Sequence, residues 1–249
     1  MKFNGKNISI GSNVSIGDNV KIGDNCTIYD NVVIGDGCII ANDCIIGEPA
    51  NAYYRDANYI QKPTIIGANS LLRSHTILYA GSSFGENFVT GHRVTIREES
   101  VFGRDCQVGT LSDIQGHVQF GDYCKLHSNV HICEHATIGN HVFIYPYTVF
   151  TNDAKPPSNS LKGPTVGDYS IITVHCVLLP GVTIGSNCLV GANSVVGKDL
   201  PDFSFAAGTP AKILKDVREL GGHYPWMYSF DRNMPWQGIG FDQWNNSQD

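Results

Sequence analysis

One feature constrains this chain more than any other. An apolar residue returns every six positions for most of its 249 residues. The series runs through Ile10, Ile16, Ile22, Ile28, Ile34, Ile40 and Ile46, and breaks over 47–63. It resumes at Ile66 and continues every sixth residue to Phe150, then breaks over 154–163. A last run spans Val166, Ile172, Leu178, Ile184, Val190 and Val196. Thr90 is the one polar residue in the series. Two positions earlier sits a smaller residue, as at Val14, Val20, Cys26, Val32, Cys38 and Cys44. Two inward side chains spaced by two make a short strand. The Gly-Asp-Asn that often follows is turn chemistry, because glycine and asparagine tolerate positive φ. One strand and one turn cannot bury a core. Three of them, forming an 18-residue triangular coil, can do so by stacking on further coils. Residues 18 apart then lie about 4.8 Å from each other. The expectation is an all-β parallel β-helix of roughly nine coils.

The cysteines fit this frame. Cys26, Cys38, Cys44, Cys106, Cys124, Cys176 and Cys188 fall at the small inward position, as buried thiols rather than a disulfide framework. Cys133 falls on a turn and is expected to line a site rather than to act as a nucleophile. The net charge of −6 argues against general nucleic-acid binding. No apolar run reaches the length of a membrane span. The N-terminal residues have no apolar signal region, so a cytoplasmic location is expected. The β-helix domain is expected over 1–205, with 206–249 as an appendage. Within that appendage, Pro210 to Leu220 reads as a short helix ended by Gly221-Gly222. Trp226, Tyr228, Phe230, Trp236, Phe241 and Trp244 make an aromatic tail. The segments 47–63, rich in tyrosine, and 154–163 are expected to be loops projecting from corners.

The corners carry the chemistry. Over residues 66–150, one corner keeps the repeat consensus, while the other two concentrate His, Arg, Glu and Asn. Thr95, Asp113 and His131 form one outward column. Glu99, His117, His135 and Asp153 form a second. His75, His141 and His223 read as surface residues or residues with routine partners.

The repeat resembles the left-handed β-helix acyltransferases over roughly 8–200. Val149-Phe150-Thr151-Asn152-Asp153, with the proline-containing loop after it, resembles the nucleotide-sugar N-acyltransferases that decorate cell-surface glycans. Leu179-Pro180-Gly181-Val182-Thr183-Ile184-Gly185 and Gly208-Thr209-Pro210-Ala211-Lys212 are similar to segments of the acyl-CoA-using members. His131 to Gly139 resembles the catalytic stretch of the UDP-N-acetylglucosamine acyltransferases, whose histidine base falls at Glu134. Asn129 matches an asparagine of the 3-amino-sugar acyltransferases.

The resemblance implies a left-handed helix; polar residues on two adjacent corners need a neighbour to complete a cleft, so a homotrimer with sites between subunits is expected. The resemblance also implies transfer of an acyl group from acyl-CoA, acetyl-CoA foremost, to the amine of a nucleotide-linked amino sugar. His131 or Glu134 would accept the proton, with Asp113 orienting His131. Asn129, His92, Arg93, Arg97, His135, Asn152 and Asp153 would meet the substrate, with His92, Arg93 and Arg97 toward a diphosphate. Cys176, Gly191, Ala192, Lys198 and Lys212 would meet the coenzyme, the two lysines at its phosphates. Sugar O-acetylation, a trimeric scaffold and zinc chemistry are the alternatives. The carbonic anhydrases of this fold use two histidines five apart; this chain has His127, His131 and His135 four apart, and no metal is expected.

Overall fold

The computed structural model describes residues 5–220. The expected aromatic tail and His223 lie outside the described residues. The chain winds as a left-handed parallel β-helix with three flat faces. The first face stacks ten strands, from Ser9–Ile10 to Val195–Val196. The second stacks nine, from Ser15–Ile16 to Thr183–Ile184. The third stacks eleven, from Lys21–Ile22 to Ser204–Ala207 and Lys212–Asp216. The 18-residue register holds where the sequence predicts it: Thr95 pairs with Asp113 and Asp113 with His131.

The sixth-residue series is the core. Ile22, Ile46, Leu78, Ile96 and Ile114 are at most 1% exposed. Each such side chain contributes about 1.5–3 kcal/mol on burial. Thr90 is tolerated because its hydroxyl is satisfied. It lies 2.8 Å from Thr76 Oγ1 and accepts from the Arg73 N–H at 3.0 Å. Phe84, Phe88, Phe102 and Phe120 form an aromatic stack inside the coil. All seven inward cysteines are buried.

Turns place one residue per corner in the left-handed region. Asparagine takes this position in the early coils, as at Asn13 (φ 55°) and Asn19 (φ 57°). In the middle coils it is held by Arg93, Glu99, Leu111, His117 and His135, with φ between 54° and 64°. Such conformations cost about 1–2 kcal/mol for side chains unsuited to them. The departures occur at all three corners, with Tyr123, His141 and Tyr169 at the corner that otherwise keeps the repeat consensus.

Three expectations are corrected. Lys212–Asp216 is a strand, paired antiparallel with Ser204–Ala207, and only Val217–Glu219 makes a 3-10 turn. The open edge of the last third-face strand captures this segment, and edge pairing overrides local helix preference. Behind it Ile171, Leu189, Val217 and Leu220 form a small second core. Cys133 is 4% exposed and packs in the main core, where burial pushes its thiol up to about 12. It neither lines an open site nor supplies a thiolate at neutral pH. His141 is 4% exposed, stacked between Tyr123 and Tyr169 at 4.7 and 4.8 Å, so of the two readings the surface one fails. His75 is exposed and lies 4.0 Å from Asp43.

Candidate functional site

Both long loops leave from one corner. The 47–63 segment links Ile45–Glu48 on the first face to Thr64–Ile66 on the second. The 154–163 segment links Val149–Phe150 on the first face to Thr165–Val166 on the second. Between them along this corner lie four turns, containing Ala80, Arg97, Gln115 and Cys133, so the loops flank a stretch of the corner, the trough, that spans five coil steps, about 24 Å at strand spacing. The first loop stacks Tyr53 edge-on against Tyr54 and Tyr59. Tyr53 and Tyr54 are both exposed.

His131 and Asp113 sit on the first face beside this corner, and strand pairing holds their backbones one coil apart. His131 Nδ1 lies 3.1 Å from Asp113 Oδ2. A carboxylate accepts only, so Nδ1 is the donor, and in the neutral ring the lone pair lies on Nε2. Gln115 Nε2 donates to the same Oδ2 at 2.7 Å. The hydrogen bonds from His131 and Gln115 hold the Asp113 carboxyl below its ordinary range, against the opposing effect of burial. Gln115 Oε1 in turn accepts from Arg97 Nη1 at 2.9 Å, and Arg97 forks onto Glu98 at 2.6 and 3.1 Å. The result is a continuous chain from His131 to Glu98, with every polar link donor to acceptor. Glu134 Oε1 joins at 3.9 Å from Arg97. The Glu134 carbonyl accepts from Asn152 at 3.4 Å.

The second column is also assembled. His117 Nδ1 is 3.8 Å from Glu99, and its ring stacks on His135 at 5.4 Å. Lys62, from the first loop, donates to Glu99 at 2.6 Å and holds that carboxyl below its ordinary range. Asp153 does something the sequence did not suggest. Its carboxylate accepts from Lys155 N, Ser158 N and Ser158 Oγ, and so pins the base of the second loop.

Asn129, His92 and Arg93 lie away from the trough, at the corner between the third and first faces. Arg97 is engaged by Glu98 and Gln115, so it stands apart from His92 and Arg93 rather than joining them at one anion. Of the expected coenzyme residues, Ala192, Lys198 and Lys212 are exposed and Gly191 is half-buried. Cys176 is corrected: it is 0% exposed, its Sγ 3.2 Å from the Gly191 carbonyl, and it belongs to the core. Sequence reasoning missed Gln115 as the link between Asp113 and Arg97. Its signal was the two-residue spacing from Asp113, which carries the outward alternation of the strand Asp113–Ile114 one residue past its end. Among the described residues no group of three or more His, Cys, Asp or Glu is arranged to hold a metal ion. No described helix is long and apolar enough to cross a membrane.

Comparison with known proteins adds four findings. The family model "Bacterial transferase hexapeptide (six repeats)" matches residues 13–48, 117–152 and 163–198. Galactoside O-acetyltransferase of Escherichia coli (strain K12) is 34% identical over 96 residues, 35% of this chain and 47% of that protein. The putative lipopolysaccharide biosynthesis O-acetyl transferase WbbJ of the same strain is 31% identical over 176 residues, 66% of this chain and 81% of WbbJ. This chain thus spans less than half of the first relative and about four-fifths of the second. Among solved structures, PerB from Caulobacter crescentus, in complex with CoA and GDP-perosamine, is 21% identical, with a TM-score of 0.41 over 69% of this chain and 70% of that one.

Proposed function

The chain belongs to the hexapeptide-repeat family of bacterial transferases, and from that premise we propose that it moves an acyl group from acyl-CoA, acetyl-CoA foremost, to a sugar acceptor used in cell-surface glycans. The observation that carries this reading is the 3.1 Å contact between His131 Nδ1 and Asp113. Attack on a thioester by an amine or a hydroxyl releases a proton, and a positioned base that takes it contributes typically 10²–10⁴-fold. His131 Nε2 is that base; Asp113 fixes its tautomer and favours the imidazolium that forms. Gln115 and Arg97 hold Asp113 in place. Glu134, beside Arg97, is the second candidate for the proton. The names of the relatives, both acetyltransferases, support the acyl-transfer class.

The acceptor we favour is the amine of a nucleotide-linked amino sugar, on the strength of the 149–153 segment and its loop. A hydroxyl is the second reading. The His131–Asp113 pair suits it well, since a hydroxyl keeps its proton at every working pH and depends on the base throughout. The two relatives are named as O-acetyltransferases. The coenzyme runs beside Gly191, Ala192, Lys198 and Lys212, and three copies assemble with sites between them.

Steady-state kinetics with acetyl-CoA and paired amino- and hydroxy-sugar nucleotides test this. His131→Ala is expected to lower kcat by about 10²–10⁴. Asp113→Asn costs less, because it orients rather than accepts. Glu134→Gln stays near wild type. Near-native kcat in all three variants, with coenzyme binding intact, moves the chemistry to the Glu99–His117–His135 column.

A further inference from the structure

A second polar concavity lies across the molecule from the trough. It is a cleft of about 310 Å³ on the third face, beside the corner where the chain turns onto the first face. Its shape follows from the repeat. Arg73, Gly91, Gly109 and His127 are 18 residues apart and occupy one corner position on four successive coils. Arg73 and His127 are therefore about 14 Å apart along the stack. A Cβ on Gly91 would meet the Thr110 backbone and one on Gly109 the His127 backbone, so glycine at these two positions lets successive coils close up along the floor of the cleft. Lys125, on the strand leading to His127, forms part of the wall.

The polar part of the lining is rich in donors. Among the described residues no carboxylate lines the cleft. Neither Arg73 nor Lys125 is ion-paired among the described residues. Lys125 Nζ lies 5.4 Å from the centre of the Phe143 ring, which positions the ammonium and leaves its charge uncompensated. His127 Nδ1 accepts the Ser128 N–H at 2.8 Å, so this ring carries its proton on Nε2 and offers a donor. Thr110 Oγ1 accepts the His92 N–H at 3.2 Å and keeps its own hydrogen to donate. The contrast with the trough is chemical. There, Asp113, Glu98 and Glu134 lie around Arg97; here two cations, the His127 ring N–H and the Thr110 hydroxyl line one cavity with no carboxylate among them.

We infer that this cleft is a phosphate-ester site that takes the diphosphate of a nucleotide-bearing ligand. A fork from Arg73 and a point charge from Lys125 suit adjacent phosphoryl groups. The volume is at the lower end of small-molecule sites, enough for a diphosphate with part of what it carries. The inference deepens the acyl-transfer reading by naming the group recognised. It rests on that reading only for the ligand's source, since the cleft's own donors call for the anion.

Calorimetry on the full chain tests it without turnover, so its failure and the failure of the catalytic reading are separate results. The probes are pyrophosphate, UDP, CoA and uridine. Pyrophosphate and UDP are expected to bind, uridine is not, and added salt weakens binding. Arg73→Gln/Lys125→Gln is expected to weaken pyrophosphate and UDP by about tenfold or more, the loss of charge-assisted hydrogen bonds, with melting temperature and molecular mass unchanged. If the double variant unfolds, Arg73→Gln alone, at an exposed position, should still show a several-fold loss. Displacement of pyrophosphate by UDP assigns the diphosphate to a nucleotide substrate; displacement by CoA alone assigns it to the coenzyme; both support the site. No binding of pyrophosphate or UDP to the native protein, or equal binding by native and variant proteins, overturns it.

Discussion

Asp113 is held as a carboxylate by its donors, the His131 ring first and the Gln115 amide after it. Its folded value lies below the ordinary carboxylate value of about 3.9. A depressed carboxylate contributes stability that is present above the unfolded value and is lost as pH falls through the folded one. The side chain is 46% exposed, so solvent screening keeps the contribution small. Urea midpoints for native protein and Asp113→Asn are therefore expected to converge as pH falls below about 4, and a gap at about pH 3 as large as that at about pH 5 contradicts the assignment. Leu111 offers a second residue-level test. It is 51% exposed with φ 61°, in a position other corners give to asparagine. Leu111→Asn is expected to stabilise by about 0.5–1 kcal/mol, read as a higher urea midpoint, with kcat unchanged. The outward column was legible in the sequence because strand pairing fixes which residues share a face. The Arg97–Glu98 fork was not, because it depends on how two long side chains turn outside the backbone. The phosphate cleft was hidden for another reason: its lining is gathered from four coils, and glycine at two of those corner positions also reads as ordinary repeat.

At the scale of the element, the six-residue pattern specified almost every strand because inward burial and strand geometry demand the same spacing. It failed at Lys212–Asp216, where Pro210 and the residues after it suit a helix start equally well. A long-range factor, the free edge of Ser204–Ala207, decided the outcome. The Phe stack shows how the coils bind one another. Phe102 is 3% exposed and meets Phe120 at 4.3 Å with rings 8° from parallel, with Phe84 and Phe88 on its other side. Phe102→Ala is expected to cost about 3–5 kcal/mol, the range for a large aromatic removed from a packed core. Each coil touches only its neighbours, so the defect should stay local. Hydrogen exchange is the discriminating measurement: protection falls in the coils over 84–120 while Ile22–Ile46 is unaffected. A uniform loss along the chain contradicts this picture.

For the whole molecule, the three faces differ in what they present outward. The first carries Asp113 and His131, and the third carries Lys21 and Lys125. The second presents Ser15, Val33, Ile65, Ser83, Val101, Gln119, Thr137, Thr165 and Thr183, one from each of its nine strands, with no charge among them. Val33, Ile65 and Val101 are 39%, 46% and 37% exposed. A flat, charge-free face about 40 Å long is suited to another copy of the chain. It also borders the corner that carries Arg97, Glu134 and His135. A neighbour seated there lies beside these residues, so loss of assembly is expected to cost activity. The expected mass by light scattering is three times 27.1 kDa. Ile65→Glu/Val101→Glu places two charges on the face without touching the core residues Ile66 and Phe102. It is expected to shift the mass toward that of one chain, to keep the β-sheet circular dichroism, and to abolish turnover. A native protein that sediments as a folded, active monomer, or a charged variant that stays trimeric and fully active, would overturn both the interface and its link to the site.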